Sequence, residues 1–123
     1  MEILNKVSLK EYSWWKIGGA ADFFCLPRSI DEVRMAVQFA LDKKMPITIL
    51  GGGTNVLISD EGVEGLVICL RQFTGLTSEE RDGRIHIAAL AGTPKSELTK
   101  IFLKLKLAPA LFLCGLPGDV GGG

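Results

Sequence analysis

Apolar and polar positions along this chain switch between two periods, and the switches mark its elements. Residues 21–26 are apolar or aromatic apart from Asp22 and run into Pro27, which predicts a short strand closed by a turn. From Ser29 the period lengthens. Ser29-Ile30-Asp31-Glu32 has the Ser-x-x-Glu spacing in which a serine oxygen and a glutamate carboxylate satisfy the orphan amides of a helix start. Val33, Ala36, Val37, Ala40 and Leu41 then recur three and four residues apart, giving one apolar stripe to lie on a sheet. Lys43 and Lys44 suit the negative end of that helix, and Pro46 stops it before Ile47-Thr48-Ile49-Leu50, a β-branched run that predicts a buried strand.

The second half repeats the theme. Val56-Leu57-Ile58 and residues 66–70 predict two more strands on either side of the polar loop Ser59-Asp60-Glu61-Gly62. Arg81-Asp82-Gly83-Arg84 reads as a hairpin turn into a strand over residues 85–90. Thr93 is placed to cap a second helix with Pro94 at its first position, where the missing N–H costs nothing, and Leu98, Ile101, Phe102 and Leu105 form its stripe. Strands mixed with two helices over 123 residues predict one compact domain of α+β or α/β layers.

Charge narrows the function. Lysine plus arginine equals aspartate plus glutamate at 14 each, so no overall field draws nucleic acid, an anionic membrane or a polyanionic substrate, and any anion site must be local. No run reaches the ~20 apolar residues of a spanning helix. Residues 1–10 lack the apolar core and small-residue cleavage site of a secretion signal, which makes the cytoplasm the expected location. Cys25, Cys69 and Cys114 are odd in number and set among apolar neighbours, the pattern of reduced, packed thiols. His86 is the only histidine and falls on the polar face of an alternating run, so neither a Ser-His-Asp triad nor a histidine metal site has a basis.

Glycine changes the picture, with 15 residues gathered mainly into short runs. Gly51-Gly52-Gly53-Thr54-Asn55 follows a predicted strand, and its glycines allow successive amides to turn toward one point as a nest for anionic oxygens. Gly115-Leu116-Pro117-Gly118-Asp119-Val120-Gly121-Gly122 offers a second amide-rich surface, stiffened by Pro117. Two such loops suit a pyrophosphate clamped from both sides, and the same composition also makes tight turns with no ligand. Neither loop has the G-x-G-x-x-G or the G-x-x-x-x-G-K-[ST] spacing. One of Trp14 and Trp15 can stack on a planar ring while the other packs, if the pair lies on a strand. The lysines at 43, 44, 95, 100, 104 and 106 read as the wet faces of two helices.

Four runs, in order, resemble the N-terminal part of the UDP-N-acetylenolpyruvoylglucosamine reductase family. They are Trp15-Lys16-Ile17-Gly18-Gly19-Ala20-Ala21-Asp22, residues 50–62 from Leu50-Gly51-Gly52-Gly53-Thr54-Asn55 onward, Ala91-Gly92-Thr93-Pro94, and residues 115–122. The resemblance implies an α+β, p-cresol methylhydroxylase-type FAD-binding fold, with residues of about 1–70 as the first subdomain and about 71–123 as the start of the second. It implies that Leu50, Gly51, Gly52, Gly53, Thr54 and Asn55 hold the FAD diphosphate from one side, and that Gly115, Pro117, Gly118, Val120, Gly121 and Gly122 line the other. Gly18 and Gly19 are then structural, shaping the start of the first strand.

By the same resemblance, NADPH is the co-substrate and a UDP-sugar the substrate, FAD is bound noncovalently, and the serine that donates a proton lies in sequence outside these residues. The resemblance therefore implies no catalytic residue and no substrate domain within these residues, and the single histidine with three widely spaced cysteines predicts no metal site. Asp119 stands where the family has Ser or Thr, Leu111 where it favours Glu and Gly123 where it favours Ala. A carboxylate at Asp119 facing a diphosphate repels it. The leading expectation is the FAD-binding portion of the reductase. The alternatives are a free-standing module that binds FAD or ADP without turnover, covered as a homodimer, and a scaffold whose glycines only make turns.

Overall fold

The computed structural model describes residues 1–107 and 111–123, with Leu111 described by its backbone alone, so the departure at its side chain lies outside the described residues. Strand β1 (Leu4–Ser8) pairs antiparallel with β2 (Ala20–Cys25), and helix α1 (Ile30–Asp42) follows. The four-stranded sheet is completed by β3 (Ile47–Leu50) and β4 (Val63–Cys69) in the order β1-β2-β4-β3, with β4 parallel to both neighbours. Strands β5 (Leu76–Arg81) and β6 (Arg84–Ala89) form a second, antiparallel sheet, and helix α2 (Lys95–Lys104) comes after it.

Helix α1 starts where the Ser-x-x-Glu spacing places it. The Ser29 Oγ accepts from the Glu32 N–H at 3.2 Å. The Glu32 carboxylate reaches back to the Arg28 N–H at 2.6 Å, one residue before the cap rather than to the cap itself. That bond, helped by the N-terminal amine 3.4 Å away, holds the Glu32 carboxyl below its ordinary value of 4.5 against the opposing effect of burial. The stripe is narrower than expected, because Ala36 and Ala40 are buried against Cys25, Leu66 and Ile68 whereas Leu41 is 61% exposed. On the opposite face of the sheet, Phe24, Val67, Leu50 and Cys69 pack with Leu9 and Ile58.

Two expected strands differ from the pattern. Residues 47–50 do form a strand, but β3 is an edge of the sheet paired only with β4, and Ile47 and Ile49 are exposed. Residues 56–58 form no strand. Their neighbours are the bends at Gly18 and Gly19 rather than another strand: a Cβ on Gly18 would lie 2.6 Å from the Ile58 Cβ, and the Gly19 N–H donates to the Ser59 carbonyl at 2.7 Å. Ile58 is thereby buried and Leu57 left 78% exposed.

The hairpin is as its turn predicts. Asp82 and Gly83 both have positive φ, 52° and 71°, as a type I′ connection requires. Thr93, however, does not cap α2. Its hydroxyl is buried and exchanges two hydrogen bonds with the Gly75 backbone, at 3.0 and 3.1 Å, and Pro94 takes the cap position. Cys25 and Cys69 are buried free thiols as expected, whereas Cys114 is exposed. Trp14 and Trp15 lie in a turn rather than a strand and are 66% and 67% exposed.

Candidate functional site

The first glycine loop leaves the carboxyl end of β3 and is held from behind by its carbonyls. The Gly52 carbonyl accepts from Arg71 Nη2 at 2.8 Å, and the Gly53 carbonyl accepts from the Trp14 N–H at 2.9 Å. The Gly51 carbonyl has a long, weak contact with the Cys69 thiol at 4.0 Å. In a planar trans peptide the carbonyl and the next residue's N–H point opposite ways. The Gly53 and Thr54 amides therefore point away from Arg71 and from the Trp14 N–H respectively, and none of the Gly52, Gly53 and Thr54 amides donates to another group among the described residues. Glycine is required at 53: its φ is +70°, and a Cβ there would lie 1.8 Å from the Tyr12 carbonyl.

The second glycine loop is brought opposite the first by backbone bonds to the start of α2. The Lys95 N–H donates to the Gly118 carbonyl at 3.0 Å, the Val120 N–H to the Thr93 carbonyl at 2.8 Å, and the Gly121 N–H to the Ala91 carbonyl at 2.8 Å. Between the loops lies a cleft of about 450 Å³, lined by residues 51–56 on one side and by Leu116, Pro117, Gly118, Asp119, Gly122 and Lys95 on the other. Thr54 approaches the second loop, since a Cβ on Gly118 would lie 3.1 Å from its Oγ1.

Of the expected site residues, Gly51, Gly52, Gly53, Thr54, Asn55, Pro117, Gly118 and Gly122 line this cleft. Leu50 is buried in the sheet core, and Gly115, Val120 and Gly121 do not line the cleft; the amides of the last two are committed to residues 93 and 91. Lys95, expected on a wet helix face, is partly exposed and also borders the cleft. It is the one cation lining the cleft among the described residues, with its Nζ donating to the Pro117 carbonyl at 3.4 Å. Its position after Pro94 carried no such signal in the sequence, because the contact is made across 22 residues.

Asp119 lies in the cleft. Its Oδ2 is buried without a hydrogen-bond partner among the described residues and stands 3.2 Å from where a Gly52 Cβ would be. Beneath the loop, burial raises the Cys69 thiol above its ordinary value of 9.0; the Arg71 side opposes this and the Asp119 charge adds to it.

Residues 21–123 match the family model described as FAD binding domain. The chain belongs to the FAD-binding domain family. Among curated relatives, this FAD-binding domain is 42% identical over 119 residues to the UDP-N-acetylenolpyruvoylglucosamine reductase of Treponema pallidum (strain Nichols), covering 96% of this chain and 34% of that protein. It is 37% identical over 116 residues to the reductase of Prochlorococcus marinus (strain MIT 9313), covering 94% and 37%. Among solved structures it resembles the crystal structure of UDP-N-acetylenolpyruvylglucosamine reductase (MurB) from Thermus caldophilus, with a TM-score of 0.70 and 28% identity over 99% of this chain and 41% of that one. The chain thus spans roughly a third to two fifths of the relatives it matches. The expected α+β, FAD-binding fold and the reductase resemblance are borne out, and the chain corresponds to the FAD-binding region of those enzymes.

FAD carries a diphosphate, and the cleft fits one in two respects. The Gly52, Gly53 and Thr54 amides lie on a loop where a side chain at Gly52 would project into the cleft toward Asp119, and Lys95 supplies positive charge opposite. The Asp119 carboxylate is the one feature that opposes the fit.

Proposed function

We propose that this chain holds the diphosphate of FAD between its two glycine loops, as the flavin-binding part of a UDP-N-acetylenolpyruvoylglucosamine reductase. The observation that carries this reading is that the Gly52, Gly53 and Thr54 amides belong to a cleft-lining loop and have no acceptor among the described residues, while the Gly52 and Gly53 carbonyls are taken by Arg71 and the Trp14 N–H. These amides accept the negative oxygens of one phosphate without a formal charge on the loop. Thr54 and Asn55 add short side-chain donors, and the Lys95 ammonium neutralises charge from the second loop. Bound FAD supplies the hydride chemistry by which such a reductase uses NADPH to reduce the enolpyruvyl group of its UDP-sugar. The residues present here bind and orient, and no proton donor for that reaction is assigned among them. The buried free thiols Cys25 and Cys69 support a cytoplasmic location.

A second reading is favoured by exposed apolar surface at Trp14, Trp15, Ile17 and Leu57 beside the first loop. In it the chain is a non-catalytic FAD or ADP module, and a second copy covers that surface as a homodimer. Flavin fluorescence with competition separates the outcomes. The proposal expects FAD to bind, ADP to displace it and riboflavin, which lacks phosphate, to compete at least tenfold less well; equal competition by riboflavin contradicts a diphosphate site. Sedimentation at rising concentration tests the dimer.

A further inference from the structure

Arg71 sits in the short 3-10 turn Leu70–Gln72 that directly follows β4, so the central sheet aims its side chain. It does not line the cleft, and lies on the far side of the first glycine loop. Its Nη2 donates to the Gly52 carbonyl at 2.8 Å and its Nη1 to the Glu11 carbonyl at 3.2 Å. The guanidinium carbon lies 5.3 Å from the centroid of the Tyr12 ring. One planar fork thus staples residue 11 to residue 52, and the Trp14 N–H ties the adjoining residues together through the Gly53 carbonyl.

The orientation of one peptide depends on this staple. Glycines at 52 and 53 give the peptide between them little steric resistance to rotation. With the Gly52 carbonyl held by Arg71, the Gly53 N–H faces the cleft; with the peptide turned over, a carbonyl oxygen would face it and repel an anion. We infer that Arg71 is a positioning residue for the anion site, which keeps the Gly52–Gly53 peptide in its amide-out orientation and acts on the ligand through that peptide. The inference rests on reading the cleft as a diphosphate site. A lysine at 71 keeps the charge but cannot reach two carbonyls with one rigid fork.

The test compares wild type, Arg71→Ala and Arg71→Lys in the 123-residue chain, using ADP as the probe, with amide hydrogen exchange on the ligand-free proteins. Arg71→Ala is expected to weaken ADP at least tenfold, Arg71→Lys to recover less than half of that loss on a logarithmic scale, and added ethylguanidinium to restore ADP binding to the alanine variant. Exchange at the Trp14 amide is expected to accelerate at least tenfold in Arg71→Ala while Phe24 and Val67, in the sheet core, keep their protection. Unchanged ADP affinity in the alanine variant overturns the positioning role. So does a loss of affinity that comes with faster exchange at Phe24 and Val67, or full recovery by lysine. If the wild-type chain binds neither ADP nor FAD, the reading of the cleft fails and the role toward a ligand fails with it; Trp14 exchange then still decides whether the staple exists.

Discussion

Replacing Asp119 by Asn probes the one group in the cleft that works against a diphosphate. The Asp119 Oδ2 is buried without a partner among the described residues, and it stands 3.2 Å from the position of a Gly52 Cβ. A phosphate oxygen held by the Gly52 and Gly53 amides would share the cleft with this carboxylate, and ~4 Å serves as the working separation of the two charges. At that separation one pair of like charges costs about 1 kcal/mol in bulk water and about 4 kcal/mol at the effective dielectric of a protein surface. The cleft is open on one side, so the expected gain on neutralisation lies between these limits, about 2 kcal/mol, or roughly thirtyfold in Kd. The assay is an ADP and FAD titration of wild type and Asp119→Asn at two salt concentrations. The variant binds both ligands more tightly, and its advantage narrows as salt rises, because added ions screen the repulsion in wild type. Equal affinity of the two proteins at both salt concentrations would refute the reasoning and place the carboxylate away from the bound anion.

Gly53→Ala puts a Cβ 1.8 Å from the Tyr12 carbonyl at a φ of +70°; nucleotide binding is lost and the melting temperature falls by the several degrees that about 1–3 kcal/mol of strain implies. Ser29→Ala removes the cap of α1 and lowers stability in urea by about 1 kcal/mol. The Glu32 carboxyl titrates lower in the fold than in the unfolded chain, so its contribution is complete above pH 4.5 and is lost as pH falls through the folded value; Glu32→Gln flattens the acid limb of the stability curve. Burial, with smaller effects of Cys69 and Glu32, pushes the Cys25 thiol from 9.0 up to about 11. Its contribution is present below pH 9.0 and is lost as pH rises toward 11, and Cys25→Ala lessens the alkaline decline, leaving the part due to Cys69. In the native state at pH 8, a thiol reagent modifies exposed Cys114 and spares Cys25 and Cys69.

What the sequence made legible was local. Ser29 and Glu32 mark the start of α1 because capping acts over three residues, and Asp82-Gly83 marks the hairpin because both positions must accept positive φ. The two glycine runs announced loops able to approach an anion. The remainder depended on contacts between distant residues. Thr93 has the chemistry of a cap, but its hydroxyl is taken by Gly75, 18 residues away. The β-branched run at 47–50 reads as buried, yet nothing in its composition says that β3 closes the sheet's edge. Residues 56–58 are as apolar as a strand but run beside the Gly18–Gly19 bends. Arg71 and Lys95 acquire their roles only when the turn after β4 meets the first loop and the start of α2 meets the second.

The central claim is that the two glycine loops hold a diphosphate, and it is tested most directly by following the backbone amide resonances of the ¹⁵N-labelled chain during titration with ADP. The account predicts that the Gly52, Gly53 and Thr54 amides shift most, together with Gly118 and Lys95 across the cleft, while the core of β2 and β4 stays unmoved. Saturable shifts centred on any other surface, or none at these residues at millimolar ADP, would contradict it.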